Sequence, residues 1–158
     1  MASQKGKYVI LNPAPAVPLP DEIYQYINCL VMNESEQQIL SGGKQVSMQS
    51  YLDRGIRDLV IVTLGGDGVS YRTSRQSAGS TEVHVPGLKV KVVDTTAAGD
   101  TFVGALAVQI AKNGGRTPDD PASIFAFANA AAAKTVEKSG AMAAIPYLNE
   151  VDFVHSLK

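Results

Sequence analysis

Asp94-Thr95-Thr96-Ala97-Ala98-Gly99-Asp100-Thr101-Phe102 decides how this chain is read. Val90 to Val93, just ahead of it, predicts a short buried strand. From Thr101 to Lys112 the sequence is helix-compatible, with Phe102, Leu106 and Ile110 spaced four apart on one face. The turn between is stripped of bulk, so its backbone N–H groups can approach a ligand closely. Unpaired N–H groups at a helix start, aided by the helix dipole, attract anions such as phosphate. A carboxylate placed beside a phosphate is repelled by it, so Asp100 is poorly explained by packing. A general base that takes the proton from a hydroxyl attacking that phosphate explains it better. The plainer alternative is a capped helix start whose small residues allow close packing. That accounts for the alanines, and accounts less well for two aspartates flanking the turn with threonines beside them.

Upstream, apolar runs alternate with helical stretches. Tyr8 to Leu11 predicts a strand that stops at Asn12-Pro13-Ala14-Pro15-Ala16, because prolines cannot donate to a sheet. Pro20 and Asp21 start a helix to about Ile27, and Cys29 to Met32 predicts a second strand. Asn33-Glu34-Ser35-Glu36 opens a helix to about Leu40, halted by Gly42-Gly43. Lys44 to Arg54 predicts a further helix ending at Gly55. Leu59 to Leu64 is continuous and β-branched, the pattern of a strand buried on both faces. Strands alternating with helices imply parallel pairing through right-handed crossovers.

After Gly65-Gly66-Asp67-Gly68 the texture changes. Val69 to Tyr71 and Glu82 to Val85 predict antiparallel strands around the polar loop Arg72 to Thr81. Thr117-Pro118-Asp119-Asp120 predicts a capped helix start, an alanine-rich helix follows to about Lys138, and Gly140 ends it. Asn149 to Leu157 predicts a last helix. The expected class is α/β: a mainly parallel sheet, a small antiparallel extension, and helices on both faces. With no repeat, low-complexity segment or linker, one domain over 1–158 is expected.

Composition narrows the function. Of 158 residues, 45% are hydrophobic and 18% charged, the balance of a soluble globular chain with a real core. Net charge is −1 with no basic run, which argues against nucleic acid or an anionic membrane as a partner. No apolar run approaches the ~20 residues that span a bilayer, and Met1 to Lys7 lacks the apolar core of a signal peptide. Cys29 is the single cysteine, so no internal disulfide forms; a reducing compartment, most simply the cytoplasm, is expected. His84 and His155 are isolated, which gives a zinc site little support. No Gly-x-Ser-x-Gly elbow exists for Ser/His/Asp hydrolysis.

Four loops fall just after strand ends: Asn12 to Ala16, Asn33 to Glu36, Gly65 to Gly68, and Asp94 to Asp100. In an open α/β sheet, ligands bind at the carboxyl ends of strands. Each loop also has a plain reading. Gly65 to Gly68 is neither a Walker A loop nor G-x-G-x-x-G, and alone is an ordinary turn. Asn33 and Glu36 form the spacing of a helix cap. Asn129 is a polar group amid alanines.

Taken in order, however, these motifs resemble the ribokinase-like (PfkB) carbohydrate kinases. Asp94 to Asp100 is similar to that family's second signature, D-T-x-G-A-G-D. Asn12 to Ala16, Asn33 to Glu36, Thr63 to Gly68 and Phe127 to Ala132 match as well, from Tyr8 onward, in the family's order. The N-P-A-P-A segment points to the ribose-specific members rather than to adenosine or fructose kinases. The resemblance implies a three-layer α/β/α fold, of which the chain covers only the carboxyl-terminal, nucleotide-binding half; the sugar-binding half and lid are not represented.

The activity so implied is transfer of the ATP γ-phosphoryl group to the 5-hydroxyl of D-ribose, with a kinase of another sugar or nucleoside, or an ATP-binding module, as alternatives. Asp100 would be the base, and the N–H groups of Ala98, Gly99 and Asp100 an anion hole. Asn33 and Glu36 would serve the ATP phosphates and Mg²⁺. Thr63, Leu64, Gly65, Gly66, Asp67, Gly68 and Asn129 would line the nucleotide pocket. A monovalent cation, usually K⁺, would be held by Asp94 and the carbonyls of Thr96, Thr135, Lys138 and Gly140. A homodimer of the full-length enzyme is among the family expectations. Two departures stand out: Ala97 occupies a family glycine position, and Ala144 a position where a serine often sits near the cation.

Overall fold

A computed structural model describes residues 5–77 and 79–151. The elements in chain order are β1 (Ile10–Leu11), α1 (Asp21–Tyr24), β2 (Cys29–Asn33), α2 (Glu34–Leu40), α3 (Met48–Asp53), β3 (Leu59–Thr63), β4 (Gly68–Thr73), β5 (Val83–Pro86), α4 (Ala98–Lys112) and α5 (Ala122–Val136). Short 3₁₀ turns occupy Gly65–Asp67, Met142–Ala144 and Leu148–Glu150. Most of the helix expected over Asn149 to Leu157, and His155, lie outside the described residues. No described helix is long and apolar enough to cross a membrane. Contacts gather into two compact units: Met1–Leu64 with Ser70–His84, and Gly65–Val69 with Val85–Lys158.

The strands form one sheet in the order β1-β2-β3-β4-β5. β1 pairs parallel with β2, Ile10 opposite Cys29, and β2 parallel with β3, Cys29 opposite Leu59 through to Asn33 opposite Thr63. The links from β3 to β4 and from β4 to β5 are shorter than the dozen or so residues a parallel crossover needs, so these neighbours run antiparallel. The α/β expectation therefore holds, in a mixed sheet of three parallel strands extended by two antiparallel ones.

In the first unit, the continuous apolar runs are buried on both strand faces. Leu30, Met32, Val60 and Val62 join Tyr24, Ile27, Leu40, Met48, Tyr51 and Ile56 in one core cluster. Cys29, Val31, Leu59 and Ile61, pointing the other way, are equally buried. Burial pushes the Cys29 thiol well above its usual range, with Asp58 adding to the effect, so it is an inert core residue. Arg54 stacks its guanidinium 4.2 Å from the centre of the Tyr24 ring and reaches Asp21 at 2.6 Å.

In the second unit, α4 and α5 pack together. Phe102, Leu106 and Ile110 of α4 are buried, as are Phe125, Ala128 and Ala131 of α5. Thr101 and Thr135 share a buried hydroxyl–hydroxyl bond of 2.9 Å.

Several boundaries differ from the sequence reading. Val90 to Val93 is not a strand, and Val92 and Val93 are 59% and 57% exposed. The N–H groups of Val93 and Asp94 donate instead to the Val136 carbonyl, at 2.7 and 3.2 Å, which pins this segment to the end of α5. The helix expected from Lys44 begins only at Met48. The Lys44 carbonyl accepts from Ser41 Oγ (2.6 Å) and the Val46 carbonyl from Gln37 Nε2 (3.3 Å), so neither serves a helix. Met48 N–H finds Glu82 Oε1 at 3.0 Å. The alanine-rich helix starts at Ala122, not beside Thr117; Thr117 is buried, and Asp120 Oδ1 accepts the Ala122 N–H at 3.1 Å. Strand β1 keeps only Ile10–Leu11, and α1 ends at Tyr24.

The Tyr24 hydroxyl is fully buried and has no hydrogen-bond partner among the described residues. A buried hydroxyl without a partner costs about 1–3 kcal/mol. Tyr24→Phe keeps the ring and its Arg54 stack while removing that cost. The variant is expected to be more stable by about 1 kcal/mol, measured as a higher urea midpoint at unchanged m-value; a lower midpoint contradicts it.

Candidate functional site

In the second unit, glycine chemistry brings two backbone segments together. Gly68 has φ +99°, and a Cβ there would collide with the Val85 carbonyl. A Cβ on Gly87 would lie 2.7 Å from the Gly66 carbonyl. The Gly87 N–H donates to the Asp67 carbonyl at 3.1 Å. Lys89 Nζ crosses the turn to the Gly66 carbonyl (3.2 Å) and Asp67 Oδ1 (2.9 Å).

Beside this turn lies a cavity of about 280 Å³. One side is the Gly65-Gly66 turn with 87–90; the other is a face of α5 carrying Asn129, Ala132, Ala133 and Val136, at i, i+3, i+4 and i+7. Val92, Thr95 and Ala98 complete it. The walls are mostly apolar, and Asn129 is the one buried polar side chain among them, 7% exposed.

At one edge of this cavity α4 begins with Ala98. Gly99 and Asp100 follow, both exposed. The Ala98 N–H donates to the Thr95 carbonyl at 3.3 Å, and the Thr101 N–H to the Ala97 carbonyl at 2.9 Å. Of the three amides that the sequence reading assigns to an anion hole, Ala98 is therefore engaged within the loop. Those of Gly99 and Asp100 have no partner among the described residues, as expected for the first turn of a helix.

The loop that delivers α4 is held by Asp94. Its Oδ1 accepts from Thr96 N–H (2.9 Å) and Thr96 Oγ1 (2.7 Å), and its Oδ2 from Gly140 N–H (3.0 Å). These bonds, Gly140's first, hold the Asp94 carboxyl down at a pKa of about 2. Thr96 and Gly140, both proposed cation ligands from sequence, are thus drawn to Asp94. The Thr135 carbonyl accepts the Lys138 N–H at 3.2 Å, and the Lys138 ammonium turns to Glu150 at 2.7 Å.

In the first unit, the parallel register sets Asn33 beside Thr63 at the carboxyl ends of β2 and β3. Asn33 Oδ1 accepts Glu36 N–H and Glu36 Oε2 accepts Asn33 N–H, each at 2.8 Å. The plain helix-cap reading of this pair is therefore present in full. Leu64 packs partly buried against the core cluster.

Sequence reasoning missed much of the cavity wall, namely Gly87 to Val90, Val92 and Thr95. Ala132, Ala133 and Val136 could have been found by counting helical spacing from Asn129.

Residues 1–148 match the family described as pfkB family carbohydrate kinase. The chain belongs to that family. A ribokinase from Staphylococcus aureus strain COL is 40% identical over 161 residues, covering 98% of this chain and 50% of its own. Among solved structures, a ribokinase from Thermotoga maritima superposes with a TM-score of 0.81 at 36% identity, over 95% of this chain and 50% of that one. The Arabidopsis thaliana ribokinase complexed with ribose and ATP gives 0.79 at 28% identity, over 94% and 47%. The chain spans about half the length of the curated relatives it matches.

In this pfkB family chain, Ala97 has φ +62° and is the one non-glycine residue with positive φ among the described residues. It is the residue that the resemblance places at a glycine position. An L-residue in this conformation is strained by about 1 kcal/mol relative to glycine. Ala97→Gly is therefore expected to stabilise the chain by up to about 1 kcal/mol, read from chemical denaturation; unchanged or lower stability contradicts the strain.

Asp94 yields a pH prediction. Its folded pKa lies below the ordinary 3.8, so the carboxylate contributes stability above pH 4 and loses it as pH falls toward 2. Asp94→Asn, followed by denaturation midpoints from pH 2 to 6, should flatten this acid limb. A limb as steep as that of the parent chain contradicts the bonding.

Proposed function

We propose that this chain serves the ATP-dependent phosphorylation of a sugar, D-ribose, at its 5-hydroxyl. One observation carries the reading. The first turn of α4 offers two unpartnered amides and an exposed carboxylate, at the edge of an apolar cavity in the same compact unit. The choice of ribose is supported by the relatives named ribokinase and by the ribose and ATP complex of the Arabidopsis enzyme.

Phosphoryl transfer asks little covalent chemistry of a protein and much positioning and charge stabilisation. In this reading the Gly99 and Asp100 N–H groups, with the α4 dipole behind them, bind the oxygens of the transferring phosphoryl group. Asp100 accepts the proton of the sugar hydroxyl as its oxygen bonds to the γ-phosphorus. The bond from that phosphorus to the ADP oxygen breaks, and ADP leaves with the electron pair. Ala98 starts the helix and lines the cavity, its own amide spent on Thr95. The Gly65 to Gly68 turn and Asn129 take the nucleotide, with Thr63 and Leu64 leading into the turn.

Two cations are part of the reading. Glu36 engages Oε2 with the Asn33 N–H and its Oε1 has no hydrogen-bond partner among the described residues, an acceptor suited to water around Mg²⁺. Mg²⁺ bound to ATP neutralises phosphate charge. Asp94 with the carbonyls of Thr96, Thr135, Lys138 and Gly140 is an all-oxygen donor set with a carboxylate kept ionised, chemistry that suits a hard cation such as K⁺. A second reading, nucleotide binding without turnover, is favoured by the strained Ala97 at the head of the anion-binding turn.

In a polypeptide that carries this sequence and phosphorylates ribose, Asp100→Asn is expected to lower kcat by about 10²–10⁴-fold with the KM for ATP little changed. ADP release coupled to ribose consumption measures it. A near-parental rate removes Asp100 as the base. Heat on titrating the chain with ATP–Mg²⁺, with no ribose phosphate formed, selects the second reading instead.

A further inference from the structure

Helix α4 has a weakly held start. Ala97 at its head has φ +62° and makes no side-chain cap. Ala98 is half-buried, and Gly99 and Asp100 are exposed, so packing grips none of them firmly. First turns held this loosely fray. Phosphoryl transfer nevertheless needs this turn ordered, because Asp100 stands on it.

Thr101 is the first buried residue of the helix. Its Oγ1 lies 2.9 Å from Oγ1 of Thr135 on α5, a residue with no exposed surface. Thr135 Oγ1 also lies 3.2 Å from the Ala131 carbonyl, one turn back in its own helix. Each hydroxyl has one hydrogen, and the carbonyl can only accept. Both contacts are satisfied together when Thr135 donates to Ala131 and Thr101 donates to Thr135. The Thr101 hydroxyl is thereby committed across the α4–α5 interface.

Phe102, next in the chain, is buried as well, but apolar contact has no preferred direction. A hydrogen bond has one. Neighbours on a helix stand about 100° apart around its axis. Aiming Thr101 at α5 therefore turns Asp100 out of that interface, where its carboxylate is exposed. A small rotation of the turn moves this carboxylate further than the backbone amides, because it lies further from the axis.

We infer that Thr101 is a positioning residue for phosphoryl transfer: its hydrogen bond to Thr135 sets the rotation of the first turn of α4 and so aims the Asp100 carboxylate. The inference rests on Asp100 being the base and adds what aims it. Thr101 itself touches no reacting atom.

Thr101→Val removes the hydroxyl and keeps the branched shape. Thr135 keeps the Ala131 carbonyl, so no buried donor is orphaned. The first test is hydrogen exchange in this chain at the amides of Phe102, Val103 and Gly104, whose bonds to the fourth residue back close the first turn. Thr101→Val is expected to speed their exchange about tenfold relative to the amides of Leu106 to Ile110, and Thr101→Ser to restore the parental pattern. No change, or a rise shared along the whole helix, overturns the inference. Thr101→Ala, also without the hydroxyl and of higher helix propensity, gives the same readings should Thr101→Val not fold.

The second test is kinetic, in a polypeptide that carries this sequence and phosphorylates ribose. Thr101→Val is expected to lower kcat about tenfold with the KM for ATP held within about twofold, and Thr101→Ser to recover the rate. On an Asp100→Asn background, Thr101→Val is expected to cost less than about twofold, since no base is left to aim. A full tenfold loss on that background, or an unchanged kcat in Thr101→Val alone, overturns the inference and leaves Asp100 as the base. A parental rate in Asp100→Asn by itself removes the base, and the inference falls with it.

Discussion

The second unit depends on the Asp94 carboxylate. A loop of small residues has no apolar anchor of its own, so something else must fix where α4 begins. Asp94 does this with three hydrogen bonds, two to Thr96 within the loop and one to Gly140 beyond the end of α5. Val93 and Asp94 N–H add two more bonds to the Val136 carbonyl. The start of one long helix is thereby tied to the end of the other. The same bonds explain the low pKa of Asp94, because each of them is stronger to the ionised carboxylate.

The first unit reaches order by another route. Parallel strands buried on both faces align their carboxyl ends, and the register sets Asn33 beside Thr63. The capping box then anchors α2 at the very residue that ends β2. Asn33 and Glu36 thus have a structural duty whether or not a ligand is bound. Duties of the two kinds are compatible: a cap fixes the rotamers of both side chains, and a pre-set carboxylate loses less entropy on meeting a cation.

Legibility followed the strength of the local signal. Leu59 to Leu64 and Cys29 to Met32 were plain, because each is a nearly unbroken apolar run bounded by polar residues or glycine, as a strand covered on both faces requires. The body of α4, read from Thr101 to Lys112, was plain for its four-residue spacing, and the structure starts it three residues earlier at Ala98. Val90 to Val93 carries the same β-branched look and is not a strand. What decides it is the Val136 carbonyl, distant in sequence, and no local pattern reports a long-range acceptor. The Lys44 to Ser47 stretch failed for a similar reason: side chains of Ser41 and Gln37 take its carbonyls. In the site, the motif residues were visible because their types are unusual. The apolar wall of the cavity was not, since valines, alanines and glycines there look like core.

Hydrogen-bonding capacity left unused is the sharper guide to where a ligand belongs. The helix cap at Asn33 is closed on itself, Arg54 is matched by Asp21, and Thr135 by Thr101. Among the described residues beside the cavity, three groups are open: the amides of Gly99 and Asp100, and Oδ1 of Asn129. Two are donors at the positive end of a helix and one is an acceptor in an apolar slot. Donors of that kind favour phosphate oxygens. The Tyr24 hydroxyl in the first unit is open too, yet it is sealed in the core where no ligand can reach, so it only weakens the fold. Access to a cavity, added to the missing partner, is what separates a binding group from a packing flaw.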